Sequence, residues 1–118
     1  MKIKKSYSLQ DLQKQFSNEF PGLKIEFFRP VYAGYEGPYD LLHYSNTTKL
    51  SAISPDVKSI EFELDDTEEV GQFEARFSKL IGVDVQVFRR SKELWLQTTK
   101  TDKWTLNRQN LKGLHSLN

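Results

Sequence analysis

Hydrophobic residues recur at intervals of three and four positions in two stretches of the chain. They are Leu9, Leu12, Phe16 and Phe20 in the first stretch, and Val70, Phe73, Phe77 and Ile81 in the second. This spacing puts each set on one face of an α-helix. Ser8 and Asp11 fit a capping box at the start of the first helix. Gly82 is a typical C-terminal stop for the second.

A strand-like alternation follows each predicted helix. Leu23, Ile25 and Phe27 alternate with Lys24, Glu26 and Phe28, and Val83, Val85 and Val87 alternate in the same way. Both segments then end in the dipeptide Phe-Arg, at Phe28-Arg29 and Phe88-Arg89. Because a helical stripe and a strand recur in the same order, the pattern indicates an internal repeat. Its halves are residues 1–58 and 59–118, approximately.

Further short strands are predicted at the start of each half, near residues 1–5 and 60–64. The order is then β-α-β twice, which favours an α+β fold of one domain over residues 1–118. The simplest closure is a ferredoxin-like βαβ-βαβ sandwich formed by the duplication, followed by a C-terminal extension of a strand and a short helix. In that arrangement the strands at 23–28 and 83–88 are opposite edges of one sheet. The alternative is two ubiquitin-like or ββα-like halves, if 40–44 and 94–98 are strands.

Composition narrows the chemistry. The 118 residues include no Cys, which excludes disulfides, thiolate metal sites and thiol catalysis. No continuous apolar segment is as long as a transmembrane helix, and the basic N-terminal residues lack the apolar stretch of a signal peptide. We therefore expect a cytoplasmic, bacterial protein with no cofactor, no metal and no membrane association.

The formal net charge is only +1, but it is unevenly distributed. Residues 60–74 carry seven carboxylates and no Lys or Arg, whereas residues 75–118 carry nine basic and three acidic residues, a net +6. The basic third suggests a nucleic-acid contact through Arg89, Arg90 and Lys92 as an alternative function. An aromatic stacking platform is not expected, because Phe28 and Phe88 would lie on opposite sheet edges, about 14 Å apart.

The segment at residues 30–45, here called the Tyr-rich segment, is the main candidate surface. Its tyrosines are Tyr32, Tyr35, Tyr39 and Tyr44, set among Gly and Pro residues. Tyrosines on such a loop give a large contact area at low entropic cost. The same composition also suits a long loop packed on its own domain. We predict a non-catalytic interaction module that binds a protein partner or a second copy of itself, using residues 23–32 and the Tyr-rich segment.

An enzyme is the third hypothesis. Asp40 could orient His43 as a general base, since the two form an Asp-x-x-His pair. No nucleophile motif, Gly-rich phosphate loop or cluster with metal-ligand spacing accompanies this pair. We therefore do not expect catalysis.

Overall fold

The computed structural model describes residues 1–30 and 34–116, apart from the side chain of Asp40. Its helices are α1 (Leu9–Glu19), α2 (Leu50–Ile53), α3 (Val70–Ile81) and α4 (Leu106–His115). Its strands are β1 (Lys2–Ile3), β2 (Leu23–Phe28), β3 (Ile60–Glu61), β4 (Asp84–Ser91) and β5 (Leu94–Gln97). Single 3₁₀ turns occur at Tyr39–Leu42 and Thr99–Thr101. None of these helices is both long and apolar enough to cross a membrane.

The two predicted amphipathic helices and their end signals are confirmed. The backbone N–H of Ser8 donates to the Asp11 carboxylate over 2.8 Å, as a capping box requires. Gly82 ends α3 in the left-handed region at φ 76°, which a residue with a side chain rarely adopts. Local sequence therefore sets where these helices begin and end.

The strands form two antiparallel sheets, one of β1 and β3 and the other in the order β2–β4–β5. Strand β2 pairs with β4 along its whole length, from Leu23 opposite Arg89 to Phe28 opposite Asp84. The prediction that these strands are opposite edges of one sheet is therefore wrong. Strands β1 and β3 span only two residues each and do not separate them. The described residues form a compact α+β protein with two small sheets and four helices, and the ferredoxin-like arrangement is not observed among them.

The strand predicted in the C-terminal extension is confirmed as β5. Residues Ser91 and Leu94 face each other across a tight hairpin in which Lys92 has a positive φ of 56°. The segment at 40–44 forms only a single bridge, between Phe28 and His43. That bridge is flanked by a bond from the Tyr44 N–H to the Phe27 carbonyl over 2.8 Å.

The core is built from residues of α1, α3 and both sheets. Its largest fully buried side chains include Phe16, Phe27, Phe73 and Phe77. The ring of Phe77 lies 6.3 Å from Phe27 of β2 and 4.8 Å from Phe62, which follows β3. Helix α3 is thus contacted from both sheets. Phe16 of α1 stacks on Phe73 of α3 at 5.2 Å, which joins the two halves of the chain in one core.

Both halves make the same main-chain hydrogen bonds where their helices begin. The first residue of each helix donates its N–H to the carbonyl two residues before a partner helix. The four bonds are Leu9 to Thr48 (2.9 Å), Leu50 to Tyr7 (2.8 Å), Val70 to Trp104 (2.9 Å) and Leu106 to Glu68 (2.9 Å). Helices α1 and α2 therefore start side by side, and α3 and α4 start in the same way.

Candidate functional site

The face of the three-stranded sheet that points away from the helices, here called the outer face, gathers several of the predicted site residues. Alternation along β2 and β4 buries Ile25, Phe27, Val85 and Val87 on the other side. Residues paired across strands share a face, so the register places β5 side chains on the outer face as well. The outer face carries Lys24, Glu26, Phe28, Asp84, Gln86, Phe88, Arg90, Trp95 and Gln97.

An aromatic row crosses the outer face. Tyr39 stacks on Phe28 with ring centroids 4.4 Å apart, and Phe28 lies 6.4 Å from Phe88. The Lys24 ammonium lies 5.6 Å from the Phe88 centroid and 5.0 Å from that of Trp95. The expectation that Phe28 and Phe88 lie on distant edges is therefore wrong, because β2 and β4 are direct neighbours.

A row of hydrogen bonds runs beside the aromatic row. The Tyr39 hydroxyl donates to the Asp84 carboxylate over 2.6 Å, and the Gln86 side-chain amide donates to the same carboxylate over 2.9 Å. Gln97 of β5 then donates to Gln86 over 3.0 Å. Burial, followed by the bond to Asp84 and the charge of that carboxylate, raises the pKa of Tyr39 well above its usual range. Tyr39 therefore remains a donor, and the bond holds its segment on the sheet.

The described tyrosines of the Tyr-rich segment, Tyr35, Tyr39 and Tyr44, contact different groups. Tyr32 lies outside the described residues. Tyr35 donates to the Pro38 carbonyl over 2.8 Å, and Tyr44 lies beneath the Arg29 guanidinium, whose carbon is 4.7 Å from the ring centroid. The contacts of Tyr39 and Tyr44 join the segment to the rest of the domain, whereas the Tyr35 bond stays within the segment. A role of these tyrosines in partner binding remains a prediction.

The carboxylate beside His43 comes from Glu26 of β2. His43 Nε2 lies 2.5 Å from Glu26 Oε2, and Glu26 also pairs with Lys24 over 3.2 Å. These residues line an open depression of about 320 Å³ together with Phe28 and Phe88. The pair is within hydrogen-bonding distance, and no Ser, Thr or Cys lines the depression among the described residues. Within residues 1–30 and 34–116, no group of three or more His, Cys, Asp or Glu residues is placed to hold a metal ion.

The three predicted nucleic-acid contacts diverge. Arg89 points inward and donates to Gln109 over 3.0 Å, whereas Arg90 points outward, 5.6 Å from the Trp95 centroid. Neighbouring residues of a strand necessarily face opposite sides. Lys92 lies in the hairpin turn, where its backbone N–H donates to the Ser116 hydroxyl over 3.1 Å. The structure therefore does not bring these cations together in one patch.

The outer edge of β5 is a feature that the sequence-based analysis missed. Leu94 is 67% exposed and Leu96 41% exposed. The Thr98 N–H donates to the Val87 carbonyl. Because hydrogen-bonded pairs alternate along an antiparallel ladder, the next such pairs are Arg89 with Leu96 and Ser91 with Leu94. The N–H and C=O groups of Trp95 and Gln97 consequently point away from β4, and no hydrogen bond among the described residues uses them. The uncharged run at residues 94–99 is the sequence signal for this edge.

No protein-family model matches the chain, and no curated protein or solved structure resembles it significantly. Its own surfaces are therefore the basis for assigning a function.

Proposed function

We propose that this protein is a non-catalytic interaction module that binds an extended polypeptide segment along the outer edge of β5. The observation that carries the proposal is an edge strand with unpaired backbone groups, two exposed leucines and no charge over residues 94–99. Proteins usually protect such edges with charged residues, Pro or a covering segment. An edge without this protection suits the addition of a partner strand, in which main-chain hydrogen bonds supply affinity.

Within the three-stranded sheet, side chains of the helices occupy the free edges of β2 and β4. On β2, Gln13 and Ser17 of α1 donate to the carbonyls of Ile25 and Leu23, each over 3.0 Å. On β4, the N–H groups of Val85 and Val87 donate to Ser78 and Glu74 of α3 over 2.9 and 2.7 Å. These contacts favour β5 over the surface near residues 23–32 that the sequence suggested.

We also infer that the chain is a duplication of one β-α-β-α unit. The matching hydrogen bonds at the four helix starts support it, and so do the equivalent pairs Gln13 with Glu74 and Ser17 with Ser78, which cap strand edges in both halves. The repeat aligns Glu26 with Gln86, and these two residues pair directly. Direct pairing of equivalent residues on antiparallel strands is the geometry of a two-fold dimer. The two units would then correspond to a dimer within one chain.

The strand-addition proposal is tested with peptides selected from a random linear library displayed on phage. Replacement Gln97→Pro removes an outward N–H that a partner strand needs and leaves the bonds from β5 to β4 in place. The matched control Gln97→Ala removes the same side chain, including its bond to Gln86, but keeps the N–H. We expect selected peptides to bind the wild type and Gln97→Ala, and to lose about tenfold or more in affinity for Gln97→Pro.

A second pair of variants tests the leucines. Leu96→Lys adds charge to the edge and should also weaken binding. Leu41→Lys, at a 70% exposed leucine in the first half, should leave binding unchanged. Circular dichroism verifies that each variant is folded. Equal affinity of Gln97→Pro and Gln97→Ala would contradict the proposal. So would a library that yields no peptide with a dissociation constant below about 100 µM.

A further inference from the structure

We propose that the segment bound at β5 is an acidic peptide, with its carboxylates on the face that it shares with Trp95. This inference rests on the proposed function and names the chemical class of the partner. In an added strand, side chains alternate between the two faces of the sheet. One set would lie beside Trp95 and Gln97 on the outer face, and the other beside the exposed Leu94 and Leu96.

Arg90 is the group that would receive a carboxylate on the outer face. It lies directly opposite Trp95 on β4, and its guanidinium carbon is 5.6 Å from the Trp95 centroid. Its Nε donates to the Lys92 carbonyl over 3.0 Å. No hydrogen bond in the described part of the chain uses its two terminal nitrogens. Those nitrogens present the planar pair of donors that suits a carboxylate.

The segment around β5 carries a net positive charge, and no ion pair among the described residues involves its cations. Five basic residues and two carboxylates lie within residues 89–103, a net charge of +3. The ion pairs among the described residues involve the N-terminus, Lys24, His43 and Arg76, and none involves a cation of this segment. A carboxylate of the partner would therefore meet unpaired cations and would not have to displace an existing ion pair.

A nucleic acid fits this surface less well than an acidic strand does. The free groups at the edge are alternating N–H and C=O groups. A polypeptide strand can pair with both, because its backbone carries acceptors for the N–H groups and donors for the C=O groups. A phosphate backbone offers acceptors only. Arg89 and Arg90 also face opposite sides of β4, so a single phosphate chain could not contact both from the outer face.

The experiment compares short fluorescent peptides of alternating Glu and Val, Gln and Val, and Lys and Val, together with oligothymidylate. Anisotropy titrations of the full chain at low ionic strength give the affinities. We expect the Glu peptide to bind about tenfold more tightly than the Gln peptide, and the Lys peptide to bind most weakly. Arg90→Gln should abolish the preference for Glu over Gln. The control Arg108→Gln, at an arginine stacked 3.8 Å over Trp104, should preserve it.

The outcomes separate this inference from the proposed function. Equal affinities for the Glu and Gln peptides would overturn the acidic preference and leave strand addition intact, whereas no binding of any peptide would overturn both. Tighter binding of oligothymidylate than of the Glu peptide would assign the surface to nucleic acid. As a readout that needs no variant, added salt should weaken binding of the Glu peptide and leave binding of the Gln peptide nearly unchanged.

Discussion

Glu74 is a half-buried carboxylate that accepts a hydrogen bond from the Val87 N–H over 2.7 Å. Burial raises its pKa from 4.5 to about 7, and the nearby carboxylates of Asp84 and Asp102 add to the increase. The bond from Val87 acts in the opposite direction and only partly offsets burial. Glu74 is therefore a mixture of protonated and ionised forms near neutral pH.

We predict that Glu74→Gln removes a pH dependence of stability. The pKa of Glu74 is higher in the folded chain than in the unfolded chain, so folding favours the protonated carboxyl. The contribution of this carboxyl to the free energy of unfolding is therefore fully present below pH 4.5 and is lost as the pH rises through about 7. A Gln side chain keeps an acceptor for Val87 and carries no charge. At about pH 8 the variant should be more stable by roughly 1–3 kcal/mol.

Urea denaturation over a series of pH values measures this effect. Glu19→Gln, at an exposed position near the end of α1, is the control and should follow the wild-type curve. If Glu74→Gln were less stable than the wild type at about pH 8, the ionised carboxylate of Glu74 would be stabilising the folded chain, which contradicts the prediction.

At the scale of elements, α4 is docked on the start of β2 through two glycines. The Gly22 N–H donates to the Asn110 side chain over 2.7 Å. A Cβ atom added at Gly113 would overlap the Gly22 carbonyl, which is backbone and cannot rotate away. This close approach holds the last helix against the sheet.

We predict that Gly113→Ala destabilises the protein by about 1–3 kcal/mol, because the new methyl group separates α4 from β2. Gly71→Ala is the matched control, as it is also a glycine within a helix. Its added Cβ would lie 3.2 Å from the end of the Asp102 side chain, which can move. Helix propensity alone favours Ala there by up to about 1 kcal/mol. Thermal denaturation compares the two variants, and a Gly113→Ala protein as stable as Gly71→Ala would show that α4 is not tightly docked.

At the scale of the whole molecule, we predict that the two halves of the chain unfold together. Their largest strands pair along their full length, and Phe16 and Phe73 from different halves stack at 5.2 Å. Both tryptophans, Trp95 and Trp104, lie in the second half, whereas far-ultraviolet circular dichroism reports on all helices. Denaturation curves from tryptophan fluorescence and circular dichroism should therefore coincide. Separate midpoints would mean that one half can unfold without the other.

The sequence by itself determined the local elements. The stripes that include Phe16 and Phe77 predicted α1 and α3, the alternation at Leu23 to Phe28 predicted β2, and Gly82 marked the end of α3. These signals are local, because the periods of 3.6 and 2 residues and the left-handed conformation of glycine each depend on only a few neighbouring positions.

Only the tertiary structure decided which strands pair and which edge stays open. Strands β2 and β4 carry the same inward pattern, so alternation alone cannot identify their partners; their direct pairing brings Phe28 within 6.4 Å of Phe88. The same pairing places Glu26 on the face that His43 meets. The edges of β2 and β4 are closed by side chains of α1 and α3, the helices that directly precede them. These contacts depend on how each helix docks against its strand, which the periodicity of neither element specifies. Strand β5 keeps its outer edge because no such side chain reaches it among the described residues.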